Sequence, residues 1–226
     1  MKLLRIRASN YKNCCDDFTI DLVAKSKKTS EDKEYELQEI AEELYIFNTA
    51  AFVGKNASGK TSAIELMECS YSILSEFRLE DKHYNYDNVK LEIIFYHEDY
   101  IYKYDTVLKD DPNLGSKANF TEQHIYRKKY YKSKVKEIYS DEGFEKITDL
   151  GELPEDTSIV FFVLKKKATR AVYFNCDGEG TDTYRLMFRA MKTYKISKDI
   201  LTKVIKIFDD KIQSLEMMDE KHYKLT

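Results

Sequence analysis

The run Gly54-Lys55-Asn56-Ala57-Ser58-Gly59-Lys60-Thr61 combines small residues, a lysine and a hydroxyl at a spacing suited to a polyphosphate. Binding phosphate requires backbone N–H groups turned inward around an anion, which a small-residue loop permits and the positive end of a helix dipole reinforces. Gly54 and Gly59 supply the backbone freedom. Lys60 is placed to reach β- and γ-phosphates as a point charge, and the Thr61 hydroxyl to ligate Mg²⁺, with Ser62 a candidate for the α-phosphate. The ligand expected is therefore a nucleoside triphosphate with Mg²⁺. Taken without its neighbours, the same run reads as a glycine-rich turn capping a helix.

A phosphate loop needs a strand before it and a helix after it. Leu44 to Val53 is an apolar segment suited to a central strand buried on both faces. From Lys60 the pattern turns helical, with Ile64, Met67, Tyr71 and Leu74 three and four residues apart. Upstream, Leu3 to Ala8 and Phe18 to Val23 alternate as paired strands do, around a turn at Asn10 to Asp17. Lys25 to Glu43 is charged and reads as an exposed loop leading to a short helix.

Downstream, Val89 to Tyr96 and Tyr100 to Leu108 read as strands joined at His97-Glu98-Asp99. His124 to Tyr131, Val135 to Tyr139 and Ser158 to Leu164 continue an antiparallel meander. Tyr184 to Tyr194 and Lys198 to Met217 have helical spacing, with Ile200, Val204, Ile207, Phe208 and Leu215 as a buried stripe. The fold class expected is α/β with α+β elements. It divides into a core of strands and phosphate loop (1–80), an antiparallel β subdomain (81–165) and a helical region (166–226).

The Gly-x-Asn-x-Ser-Gly-Lys-Thr form of the loop, with Asn56 third, resembles the ABC-type ATPase heads of the SMC, RecF and OLD-like proteins and the related bacterial AAA family ATPases. The basic first strand followed by Asn10-Tyr11-Lys12 is similar to the Asn-Phe/Tyr-Arg/Lys segment beside the nucleotide in those heads, and the element order agrees. The resemblance implies that Lys12 and Asn13 approach the nucleotide; by themselves they read as a solvated turn. It also implies head-to-head homodimerisation on ATP, with DNA or an effector protein as partner.

Those heads cleave ATP with a Walker B strand ending in Asp-Glu and engage through a Leu-Ser-x-Gly signature; no Leu-Ser-x-Gly occurs in this sequence, and no Walker B strand is recognised in it. The apolar run Ile93 to Tyr96 does end in Glu98 and Asp99, but a strand resumes at Tyr100, so the acids fall where a hairpin turn belongs. Ser158 to Leu164 ends in Lys165-Lys166-Lys167 and offers no acid. Asp177-Gly178-Glu179-Gly180-Thr181-Asp182 reads as a solvated loop, and His83, His97, His124 and His222 have no metal or triad spacing. The resemblance implies an N-terminal portion of a head about twice this size, one that binds ATP more readily than it hydrolyses it.

With 37 basic and 40 acidic side chains the net charge is only -3, so any charged partner must meet a local patch. The densest is Arg127 to Lys136, with six basic residues in ten interleaved with tyrosines: a stripe along a nucleic-acid backbone, or an exposed hairpin kept soluble by charge. No apolar run approaches the roughly 20 residues that span a bilayer. Cys14, Cys15, Cys69 and Cys176 have neither metal nor disulfide spacing, so a cytoplasmic protein with reduced thiols and no membrane is expected. Two functions stand: an ATPase head that drives an effector in DNA maintenance or phage defence, and a nucleotide-binding regulatory or scaffolding module without turnover. A kinase or GTPase is weaker, since no Asn-Lys-x-Asp for guanine is present.

Overall fold

A computed structural model describes residues 1–25, 36–55, 58–79, 86–110 and 118–164, together with scattered positions between 197 and 225. The chain divides into two compact units, Met1–Ala171 and Val172–Thr226.

The first unit is built on a six-stranded sheet in the order β2-β1-β5-β6-β7-β8. Its strands are β1 (Lys2–Ser9), β2 (Phe18–Asp21), β5 (Val89–His97), β6 (Tyr100–Asp110), β7 (Ala118–Lys129) and β8 (Glu145–Lys146), all paired antiparallel. A second small sheet pairs β3 (Leu37–Ala41) with β4 (Leu44–Phe47). The molecule is thus mixed α and β with an antiparallel sheet. Because β1 pairs with β5, strands from residues 1–80 and from 81–165 share the larger sheet.

Alternation explains how the sheet is covered on both sides. Leu3, Ile6 and Ala8 of β1, Leu91, Ile93 and Phe95 of β5, and Tyr102 and Tyr104 of β6 face helix α1 (Lys60–Glu76) and the short helix α2 (Val160–Leu164). A bulge between Leu3 and Arg5 turns Leu4 to the opposite face, where it joins Ile94, Ile101, Leu44, Ile46 and Ile138. α1 buries Leu66, Cys69, Ile73 and Leu74. The expected stripe is therefore rotated: Leu74 is buried, Met67 and Tyr71 are half-buried and Ile64 is exposed. Leu66 and Ile73 are fully buried, each adding about 2 kcal/mol by removal of apolar surface from water.

Several expected elements differ. Leu44 to Val53 is not a strand buried on both faces; only Leu44–Phe47 is extended, Val53 is 92% exposed, and residues 48–54 have no regular structure. Its partner β3 lies where a short helix was expected, since β4 needs a second strand to satisfy its backbone groups. Val135 to Tyr139 is not a strand: a 3₁₀ turn over Lys132–Glu137 follows the 12-residue β7.

Ser158 to Leu164 becomes α2 because Ser158 Oγ accepts from Val160 N at 3.3 Å and Val160 and Leu164 are buried one turn apart. Short apolar runs do not distinguish strand from helix by pattern alone.

In the second unit, residues 199–200, 202–203 and 206 are helical, whereas Leu215–Met217 forms a strand (β9) paired with Tyr223–Leu225 (β10). The expected helix does not reach Met217, Leu215 lies in β9, and Ile200 is 56% exposed. Tyr184 to Tyr194, Val204, Ile207, Phe208, Lys165 to Lys167, Asp177 to Asp182, Cys176, His83 and His222 lie outside the described residues. No described helix is long and apolar enough to cross a membrane.

Candidate functional site

The turn between β1 and β2 is tight. Asn10, Lys12 and Asp17 adopt left-handed backbone angles, with φ of 57°, 50° and 58°, and Cys14 N donates to Tyr11 O at 3.0 Å. Two anchors hold it in place. Tyr11 is buried and stacks on Tyr86, ring centroids 6.2 Å apart, and Asn10 Nδ2 donates to Asn88 O at 3.2 Å. Lys12 Nζ reaches across to α1 and pairs with Glu65, a carboxylate only 8% exposed.

This contact brings the turn against the N-terminus of α1. Residues 12–15, Phe18 and residues 58–62 together line a cleft of about 520 Å³, a size ordinary for a small-ligand site. Of the expected site residues, Lys12, Asn13, Ser58, Gly59, Lys60, Thr61 and Ser62 therefore share one cavity. Gly54 and Lys55 are joined to it through Lys60, whose Nζ donates to Gly54 O at 2.9 Å and Lys55 O at 2.7 Å. Asn56 and Ala57 lie outside the described residues.

The loop has features that an anion cradle needs. Gly59 has φ of 86° and accepts the first helical bond from Ala63 N at 3.0 Å. A Cβ on Gly54 would stand 2.5 Å from Ser58 Oγ and 3.3 Å from Ser58 Cβ, so a side chain at residue 54 would displace that of Ser58. No acid occurs in the first turn of α1, where a carboxylate would compete with an anion for the positive end of the helix dipole. The donor types at this cleft, an ammonium, a helix N-terminus and the Thr61 hydroxyl, are those a phosphate chain with Mg²⁺ would use. One feature of the expected context is missing, namely a strand running directly into the loop.

Three residues of the site carried little signal in the sequence. Glu65 reads as one polar position on a helix, and its importance emerges only when the turn delivers Lys12 to it. Cys14 and Cys15 lie in the cleft wall, Cys15 exposed and Cys14 half-buried against the core. Burial pushes the Cys14 thiol up, its neighbour Cys15 adds to this, and Lys12 opposes it.

The acids Glu98 and Asp99 occupy the two-residue turn between β5 and β6, with φ of 47° and 66°. That turn lies at the Met1 end of β1, whereas Lys12 follows the other end. The eight residues of β1 separate the two by about 25 Å, so this pair does not serve the cleft.

Among the described residues, no group of three His, Cys, Asp or Glu side chains is arranged to hold a metal. A separate cleft of about 630 Å³ lies at the other end of α1, beside Phe77, Arg78 and Phe161. Compared with known proteins, the chain matches no family model and no curated sequence.

The basic run is largely engaged within the fold. Lys128 donates to Glu137 O at 2.9 Å and Ser140 O at 2.7 Å with its ammonium 4.4 Å from the Phe144 ring, and burial lowers its pKa. Lys132 pairs with Glu42, and Arg127 sits over Tyr100. These contacts favour the reading of a charged hairpin that secures its own 3₁₀ turn.

Proposed function

We propose that this protein binds ATP with Mg²⁺ in the cleft between the β1–β2 turn and the N-terminus of α1. The observation that carries the reading is the convergence, in one cleft, of Lys12 and Asn13 with Ser58 to Ser62, segments about 50 residues apart in the chain. Lys60 exchanges its two loop carbonyls for phosphate oxygens, which as charge-assisted acceptors bind an ammonium more strongly than neutral carbonyls do. Thr61 offers its hydroxyl to Mg²⁺, and Asn13 lies at the same mouth. Bound Mg²⁺ would supply charge neutralisation of the phosphates.

Titration of a fluorescent ATP analogue, with and without Mg²⁺, tests this. Saturable binding that Lys60→Ala removes supports it, and equal affinity in the two proteins overturns it.

Hydrolysis asks for more than this cleft contains. No carboxylate is among the described residues that line it, and activating water needs a base within hydrogen-bond reach. That favours nucleotide as a conformational ligand for these side chains by themselves. Within the proposal of an SMC/RecF-like head, cytoplasmic and acting on DNA or a partner effector, turnover would use groups brought by a second head or by further sequence.

A further inference from the structure

The Lys12–Glu65 pair sits at the candidate phosphate site and poses an electrostatic problem there. Glu65 is on the second turn of α1, with its side chain only 10% exposed, and four residues before it on the same face stands Thr61. Side chains on a helix lean toward its N-terminus, so the Glu65 carboxylate leans toward the end where phosphates would bind. A buried carboxylate under a polyanion opposes binding unless something cancels its charge. Lys12 contacts it directly, and Lys12 lines the same cleft.

We propose that Lys12 and Glu65 act as one unit, in which Glu65 is a positioning residue that fixes the Lys12 ammonium at the cleft wall, and Lys12 screens the Glu65 charge from the bound phosphates. This rests on the cleft being the triphosphate site. An ammonium has three N–H donors, so Lys12 keeps its bond to Glu65 while offering another to a phosphate oxygen. Its backbone is left-handed, and its ammonium lies 5.7 Å from the centroid of the buried Tyr11 ring. The arrangement has a consequence of definite sign. Removing Lys12 takes away one contact and also exposes the phosphates to an uncompensated buried negative charge. Removing both partners restores neutrality.

The test is a double-mutant cycle with Lys12→Met, Glu65→Gln and the double variant. It is read as the affinity for a fluorescent ATP analogue and for inorganic triphosphate at two salt concentrations. Thermal melting without ligand is the control for folding. Lys12→Met should weaken triphosphate binding by the largest factor. The double variant should recover about tenfold or more of that loss, and Glu65→Gln by itself should weaken binding mildly, because its lysine is no longer held.

A double variant no better than Lys12→Met, with both folded, overturns the proposal, as does Glu65→Gln binding more tightly than the unaltered protein. If the unaltered protein binds no triphosphate, the site assignment itself fails, a result distinct from an additive cycle. Should Lys12→Met not fold, Lys12→Arg and Lys12→Gln with Glu65→Gln take its place.

Discussion

Lys60 folds back so that its ammonium donates to the carbonyl oxygen of Gly54, 2.9 Å away, closing the loop over its own mouth. The same nitrogen reaches Lys55 O. These are neutral acceptors on a surface loop, and such bonds contribute about 1 kcal/mol each or less, so a phosphate chain displaces them readily. Lys60→Ala is therefore expected to lower the melting temperature by no more than several degrees while removing binding of an ATP analogue. Calorimetric titration paired with a thermal melt checks both halves.

Gly59 and Gly54 are needed for different reasons, and the difference is measurable. Gly59 has φ of 86° and nothing within 4 Å of where a Cβ would stand, so its requirement lies in the backbone alone. Gly59→Ala should cost about 1–2 kcal/mol of stability, and Gly59→Asn less, because asparagine tolerates the left-handed region. Gly54→Ala meets Ser58 instead. It should leave stability nearly intact and weaken nucleotide binding, since the Ser58 side chain must move within the cleft wall. Urea unfolding and analogue titration separate the two effects.

The contrast between these two glycines also marks what was legible in the sequence. The helix after Gly59, the β5–β6 hairpin at Glu98 and Asp99, and the strand pair around Asn10 to Asp17 all followed from local pattern and turn chemistry. Pairings between distant segments did not. Nothing in the alternation of Lys2 to Ser9 says that β1 inserts between β2 and β5, and nothing in Glu65 says that it meets Lys12. Leu44 to Val53 misled because an apolar run reports burial without saying which partner covers it; the hairpin with Leu37 to Ala41 satisfies only its first four residues.

Asp105 offers a test by pH. It stands opposite Glu92 on one side and His124 on the other. Burial first, then the Glu92 charge, holds its pKa above the ordinary 3.8, while Lys103 and His124 oppose the rise. A carboxyl whose folded pKa is raised contributes most when protonated, below its unfolded value, and its contribution is lost as pH rises through the folded value. Asp105→Asn should therefore be indifferent in strong acid and stabilising at neutral pH, by about 0.5–1 kcal/mol, the scale of like charges directly across a sheet. Chemical unfolding of both proteins on either side of the carboxylate range reads the sign, and a loss of stability at neutral pH would refute it.

Cys15 reports on the cleft directly. It is exposed at the mouth beside Lys60 and Thr61, whereas Cys14 packs against the core and burial keeps its thiol protonated. The thiolate is the reactive form, so a maleimide should modify Cys15 before Cys14, and Cys69, fully enclosed with its pKa pushed to about 12, last of the three. A triphosphate seated between residues 12–15 and 58–62 covers that thiol. Saturating ATP with Mg²⁺ should slow Cys15 labelling, measured by peptide mass spectrometry over time, and Lys60→Ala should restore the rate in the presence of nucleotide. Labelling of Cys15 at one rate with and without ATP, in a protein that binds the nucleotide, would place the ligand elsewhere on the molecule.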